Sequence, residues 1–191
     1  LCHILTVYQA TYNDPTVHFK STYAQQRTMF LSEGRTTIDS RRNFQSDIVN
    51  LVRSLSSATS SVILCGDFND NLRSPTNRFT TALMGCGLVD VHEYCHPTLP
   101  PTYTWQEGRA QIDYILVSAS LLPYISSSGM ECFYDHVSSD HRGLFLDIDH
   151  GAYLQGQLAD IATPARRGVR SKNPATTRKY LTALSKYWRD H

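Results

Sequence analysis

Apolar positions along this chain fall into short unbroken runs and one long helical stripe. The run Ile4-Leu5-Thr6-Val7-Tyr8 predicts a strand over about residues 2–8, ended by a polar stretch containing Asn13-Asp14-Pro15. A short helix is expected over Ala24–Leu31. The clearest helix runs from about Ile38 to Leu55, because Phe44, Ile48, Leu51, Val52 and Leu55 recur on one face of a 3.6-residue period. The Ser/Thr cluster from Ser56 to Ser61 closes it. Val62-Ile63-Leu64-Cys65 then has the continuously apolar, β-branched character of a strand buried on both faces.

Beyond it the pattern predicts a loop from Gly66 to Pro75 and a helix near Asn77–Met84, broken at Gly85-Cys86-Gly87. Strands are expected at Leu88–Val91, Thr102–Trp105, Ala110–Val117, Met130–Tyr134 and Leu144–Ile148. Buried strands with a few covering helices imply a layered α/β domain over residues 1–150. From residue 151 to 191 the composition turns polar and basic. A further amphipathic helix is expected after Asn173-Pro174, carrying Tyr180, Leu181, Leu184, Tyr187 and Trp188.

The chain has 191 residues, 41% hydrophobic and 18% charged, which fits a folded domain rather than a disordered segment. No run approaches the ~20 apolar residues of a membrane span, so no membrane partner is expected. The chain enters at Leu1 directly before the first apolar run, so it is expected to be a piece of a longer protein. Five cysteines without a CxxC pair suit reduced thiols in an intracellular compartment. The net charge of +1 conceals a division: residues 1–150 carry 10 Lys/Arg against 15 Asp/Glu, and residues 151–191 carry 8 against 2. The run Arg166-Arg167-Gly168-Val169-Arg170-Ser171-Lys172 is either a solvated linker or a nucleic-acid contact.

Three segments place acidic, amide or imidazole groups at strand ends. Gly66-Asp67-Phe68-Asn69 follows an apolar strand; its i, i+2 spacing puts Asp67 and Asn69 on one side of an extended segment, able to orient a water and hold a metal or phosphate oxygen. Asp113 is the lone charge in Gln111–Val117, so it either faces solvent at a strand edge or is buried and paired. Ser139-Asp140-His141-Arg142 precedes the last strand and offers a carboxylate for a hard cation beside an imidazole for a phosphate oxygen or proton.

In this order, Tyr8 in Thr6-Val7-Tyr8, the Gly66–Asn69 motif, Thr102-Tyr103-Thr104-Trp105, Ile112-Asp113-Tyr114 and Ser139-Asp140-His141 resemble the endonuclease/exonuclease/phosphatase superfamily with its DNase I-like fold. Gln25-Gln26-Arg27, Pro100-Pro101-Thr102-Tyr103 and the residues around His141 look most like the endonuclease domains of non-LTR retrotransposons.

The resemblance implies an α/β sandwich of two packed, mostly antiparallel sheets flanked by helices. It implies metal-dependent phosphodiester hydrolysis, with DNA nicking as the activity and a phosphatase or a non-cutting nucleic-acid binder as alternatives. By the same motifs Asp67 would activate the attacking water, and Asn69 would hold it or a phosphate oxygen. His141 would contact the scissile phosphate with Asp113 fixing its tautomer, Tyr8 would lie near the phosphate, and Asp140 would bind Mg²⁺ (or Mn²⁺) together with the Asp67 and Asn69 groups. A reverse transcriptase fused downstream and a nuclear location would follow for a retroelement protein. The family pattern also uses an Asn and a metal-binding Glu ahead of the Tyr8 segment. Those positions would lie upstream of Leu1, so the chain is expected to represent the C-terminal two-thirds of the domain and to be incomplete at the N-terminus.

Two other motifs are set aside. His92-Glu93-Tyr94-Cys95-His96 spells the zinc-protease signature, but Gly85-Cys86-Gly87 and Pro97 leave little room for a helix, so a loop is expected. Asp67–Asn71 mimics the start of an EF-hand, yet Leu72 and Arg78 stand where Gly and Glu are required.

Overall fold

In the computed structural model the described residues are 1–11, 20–35, 39–135 and 139–156, together with Arg178, Lys179 and Thr182. The chain divides into two compact units, Leu1–Gln155 and Gly156–His191. In the second, Arg178, Lys179 and Thr182 are helical and exposed. The basic run Arg166–Lys172 and the aromatic residues expected on the tail helix lie outside the described residues.

The first unit is built on a four-stranded sheet. Its strands β1 (Cys2–Tyr8), β2 (Ser61–Asp67), β3 (Leu88–Asp90) and β4 (Asp113–Ser118) lie in the order β1-β2-β4-β3. The β1–β2 pair is parallel and the other two pairs are antiparallel. A second, two-stranded antiparallel sheet joins β5 (Ile125–Met130) to β6 (Leu144–Ile148). Helices α1 (Thr22–Ser32), α2 (Ser40–Leu55) and α3 (Arg78–Gly85) begin at Ser21, Asp39 and Asn77, whose side chains accept hydrogen bonds from first-turn amides.

Strand alternation sorts the core into layers. Val62 and Leu64 of β2, with Tyr114 and Leu116 of β4, face Val49 and Val52 of α2 and Phe79 and Leu83 of α3. The intervening residues Ile63 and Val117 face the other way, onto Leu121 and, from the second sheet, Ile125, Leu146 and Ile148. The result is helices, sheet and sheet in succession, the two-sheet α/β architecture with predominantly antiparallel pairing that the resemblance implied.

Several boundaries differ from the sequence expectation. On α2 the buried positions are Ser40, Val49 and Val52, flanked by Ile48 and Leu55, while Leu51 is 42% exposed. The core-facing stripe is therefore rotated away from Leu51. Residues Thr102–Trp105 form no strand and make a single bridge, Trp105 to His141. The expected strand Met130–Tyr134 is displaced: β5 ends at Met130, with Ser126 and Ser127 exposed and Ser128 buried, and pairing with β6 sets its backbone.

The His92–Cys95 segment is helical rather than a loop. Asp90 caps the short helix α4 (Val91–Cys95) by accepting from the His92 and Glu93 amides, and α4 ends at His96, ahead of Pro97.

Candidate active site

Three of the expected site residues sit side by side because three strands end, or begin, at one level of the main sheet. Tyr8 closes β1, Asp67 closes β2 and Asp113 opens β4; the register pairs Tyr8 with Asp67 and Asp67 with Asp113. Asp67 and Asp113 continue the alternation that turns Ile63 and Val117 toward the second sheet, so their carboxylates belong to the inter-sheet face. Asp113 is thereby enclosed, its side chain only 14% exposed, which excludes the solvent-facing alternative. Tyr8 stands on the edge strand and is 56% exposed.

Gly66 does not open the loop expected from Gly66 to Pro75. It lies within β2 at φ 141°, and a β-carbon there would sit 2.0 Å from the Val7 carbonyl oxygen. The absent side chain lets β1 close against β2 immediately before Asp67.

Asp67 and Asn69 come together through a turn rather than extended spacing. Asn69 adopts φ 43°, in the left-handed region that Asn tolerates, and its amide donates to Asp67 Oδ1 at 2.8 Å. Asn69 Nδ2 donates to Asp67 Oδ2 at 3.0 Å and to the Gln9 carbonyl at 2.8 Å. Both amide hydrogens are thus engaged in holding the carboxylate and the neighbouring strand, which leaves the amide oxygen to face a water or cation.

Behind the turn stands Gln9, fully buried. Its Nε2 donates to the Phe68 carbonyl at 2.6 Å, its Oε1 accepts from Gln45 Nε2 at 3.0 Å, and its backbone N–H donates to the Asp67 carbonyl. Nothing in the sequence pattern singles out Gln9 or Gln45; a polar residue directly after an apolar strand was the only trace.

His141 arrives from the loop before β6. It is fixed by the bridge to Trp105 and by the Arg142 N–H on the Thr104 carbonyl at 2.8 Å. Its Nδ1 lies 2.9 Å from Asp113 Oδ2; with the carboxylate as acceptor the ring donates there, which leaves Nε2 as the working nitrogen. Thr104, completely buried, accepts at Oγ1 from the amides of both Ile112 and Asp113, at 3.0 and 3.1 Å, and so fixes the start of β4. Thr104 was legible only as one letter of Thr102–Trp105. Asp140 turns aside: its Oδ2 accepts from Trp105 Nε1 at 3.1 Å and its carbonyl accepts from the Gln106 amide.

Burial raises the Asp67 pKa above its ordinary value; the Asn69 amide works against this and the nearby Asp113 charge adds to it. For His141, burial works against the cation, but the hydrogen bond and charge of Asp113, joined by Asp67 and Asp140, outweigh it and raise the pKa. The pocket thus couples a carboxylate inclined to take a proton with an imidazole inclined to stay charged.

One oxygen each from Asp67 and Asp113 and one ring nitrogen of His141 lie within 4.8 Å of one another, the one such His/Cys/Asp/Glu group among the described residues. Two carboxylates and an imidazole suit a hard divalent cation better than a thiophilic metal. Asp140 is outside this group. The His92–His96 pair is not a rival centre, because His96 Nε2 lies 2.8 Å from the Ser128 carbonyl and is spent there.

A strand-end carboxylate pair and a carboxylate-bound histidine thus meet at one end of the main sheet of a two-sheet α/β frame. The chain belongs to the Endonuclease/Exonuclease/phosphatase family, whose pattern matches residues 7–141 and so includes Asp67, Asp113 and His141.

Among solved structures it is similar to the 3′ phosphatase NExo from Neisseria bound to product DNA hairpin, with 18% identity and a TM-score of 0.54 over 76% of this chain and 60% of that one. It is also similar to the AP endonuclease LMAP from Leishmania major, with 16% identity and a TM-score of 0.50 over 75% of this chain and 49% of that one. The endonuclease domain of TRAS1, a telomere-specific non-LTR retrotransposon, aligns more loosely, with 21% identity and a TM-score of 0.44 over 56% of this chain and 51% of its own. The chain thus spans about 60% of the Neisseria protein's length, and the likenesses to the Neisseria and Leishmania proteins establish the fold. Comparison with curated proteins returns no match.

Proposed function

We propose that this domain hydrolyses phosphodiester bonds and nicks DNA, as a retroelement-type endonuclease using Mg²⁺, with Mn²⁺ as a substitute. The observation that carries the reading is the Asp67–Asp113–His141 cluster, with the Asp113–His141 contact at 2.9 Å. In it, Asp67 orients a water and takes its proton, and the raised pKa from burial suits that task. Asn69 holds Asp67 in place by two hydrogen bonds. His141, kept cationic by Asp113, presents Nε2 to a phosphate oxygen and stabilises the charge that builds there in the transition state. A divalent cation held by Asp67 and Asp113, with Asp140 or Asn69 supporting from outside, would neutralise phosphate charge. Tyr8, exposed at the end of β1, borders the phosphate.

On this reading residues 1–150 are the catalytic part and residues 151–191 a basic extension leading toward a fused reverse transcriptase. The protein would act inside the cell, in the nucleus where it serves a retroelement. A phosphatase of the same family is the second reading, favoured by the likeness to a 3′ phosphatase.

The test is Mg²⁺-dependent nicking of supercoiled plasmid by the chain, alone and in its full-length context, beside His141→Ala. Nicking should fall by about 10²–10³-fold in the variant, the range for losing one donor that stabilises transition-state charge. A folded full-length protein that removes terminal phosphates but leaves the plasmid intact would replace the endonuclease by the phosphatase. One that binds DNA and does neither would leave a binder.

A further inference from the structure

Away from the Asp67–His141 pocket, α2 and α3 enclose a groove of about 620 Å³. Arg42, Arg53 and Arg78 line it above Val49, Phe79 and Ala82, and among the described residues no acidic one lines it. Such a concentration runs against the composition of residues 1–150, where acids outnumber bases. The cations are also available. Among the described residues Arg42 pairs only with Asp39, at 3.2 Å and with its side chain 85% exposed, and Arg53 donates to Asn50 Oδ1. Among the described residues neither Arg53 nor Arg78 enters an ion pair.

The groove continues toward the active site. A second cavity of about 460 Å³ shares Gln45, Arg78 and Phe79 with it and reaches Asp70 and Asn71, which follow the Asp67–Asn69 turn. The acid on this path, Asp70, is already matched by Arg41 at 2.9 Å. On α2, Arg42 and Arg53 stand three turns apart and therefore share a face, separated by about 16 Å along the helix axis. That distance equals about five base-pair rises along the axis of a B-form duplex.

We infer that the α2–α3 groove holds the phosphodiester backbone of the nucleic-acid substrate on one side of the reacting bond. Charge complementarity supplies the attraction, and continuity with the Asp70–Asn77 loop supplies the path. The inference rests on the nuclease reading and extends it from a reacting phosphate to a strand several nucleotides long. The arginines grip by charge alone, so the contact is independent of sequence.

The experiment measures binding of the chain, in its full-length context, to fluorescent duplexes of 10 and 30 base pairs by anisotropy across a salt series in chelator. Plasmid nicking is measured in parallel with Mg²⁺. Wild type is compared with Arg53→Glu/Arg78→Glu, with Arg53→Gln/Arg78→Gln in case the reversal perturbs folding, and with Arg35→Glu as a charge control outside the groove.

The inference expects at least a ten-fold loss of affinity for the long duplex in the Glu variant. It expects the slope of log affinity against log salt to flatten by about two in both double variants. The 10-base-pair duplex should lose less affinity than the 30-base-pair one, because fewer of its phosphates can reach the groove and the pocket together. An unchanged slope in folded double variants, or an equal loss in Arg35→Glu, would overturn it. So would intact DNA binding with lost affinity for polyglutamate, which would assign the groove to an acidic peptide. Nicking by wild type with unaltered slopes in the variants would sink the groove alone, whereas slope changes without any nicking would sink the nuclease reading alone.

Discussion

Replacing Gly66 by alanine tests whether the site depends on how closely two backbones approach. The new β-carbon would lie 2.0 Å from the Val7 carbonyl oxygen and 3.0 Å from both the carbonyl carbon and the nitrogen of Val7. The oxygen must retreat by about 1 Å to reach even the tight limit of 3.0 Å. All three atoms are backbone, so no side-chain rotation relieves the overlap. Val7 is the register partner of Gly66, and its retreat opens β1 from β2 one residue before Asp67.

The φ of 141° adds strain of ~1–3 kcal/mol for any residue with a side chain. Two weakened ladder hydrogen bonds add ~1 kcal/mol each, for a total of roughly 3–5 kcal/mol. Against a typical stability of ~5–15 kcal/mol, that is a large fraction.

Urea unfolding followed by far-ultraviolet circular dichroism reads it. The control is Gly85→Ala, at the last position of α3, where a β-carbon meets nothing within 4 Å. The urea midpoint should drop for Gly66→Ala and hold or rise for the control, since a helical Gly→Ala exchange gains ~0.5–1 kcal/mol. Equal midpoints for wild type and Gly66→Ala, at equal slope, would refute the close packing of β1 on β2.

Three further outcomes follow from groups near the site. Tyr114→Phe removes a buried hydroxyl that accepts from the Leu72 amide at 3.0 Å and donates to the Gln111 carbonyl at 2.7 Å. Thermal unfolding should report a loss of ~1–3 kcal/mol, and an unchanged melting point would show that the pair is not needed. In chelator, the His141–Asp113 contact stabilises the fold fully below the ordinary histidine value of 6.5 and fades as pH rises through the raised one. The stability difference between wild type and His141→Gln should therefore narrow with rising pH. Because Asp67 and His141 both hold protons above their ordinary values, Mg²⁺ affinity measured by calorimetry should weaken as pH falls. Affinity that strengthens on acidification would contradict the assigned ligands.

What the sequence revealed and concealed divides along physical lines. Strands β2 and β6 were legible because their apolar residues are contiguous or alternate, and α3 because Asn77 caps it and Gly85-Cys86-Gly87 ends it. The approach of Asp67, Asp113 and His141 followed from motif order together with the family resemblance. Local pattern could not reveal Gln9 and Thr104, whose importance lies in hydrogen bonds to distant backbone. Strand β5 was missed because its serines gain strand conformation only through β6. The helix over His92–Cys95 was missed because a single cap, Asp90, outweighs the breakers on either side.

The parallel pairing of β1 with β2 also sets a kinetic condition on the site. Cys2 lies beside Ser61 and Tyr8 beside Asp67, so all of α1 and α2 intervenes between the two strands. Closing so long a segment costs entropy before any contact rewards it, and pairings of this kind form slowly. His141 comes from still farther along the chain. The helix α2, by contrast, is local and capped, and can form early. Refolding should therefore show helical signal well before the Asp67–Asp113–His141 pocket exists. Recovery of cation binding should then lag recovery of secondary structure, so that the reactive cluster is among the last features the chain assembles.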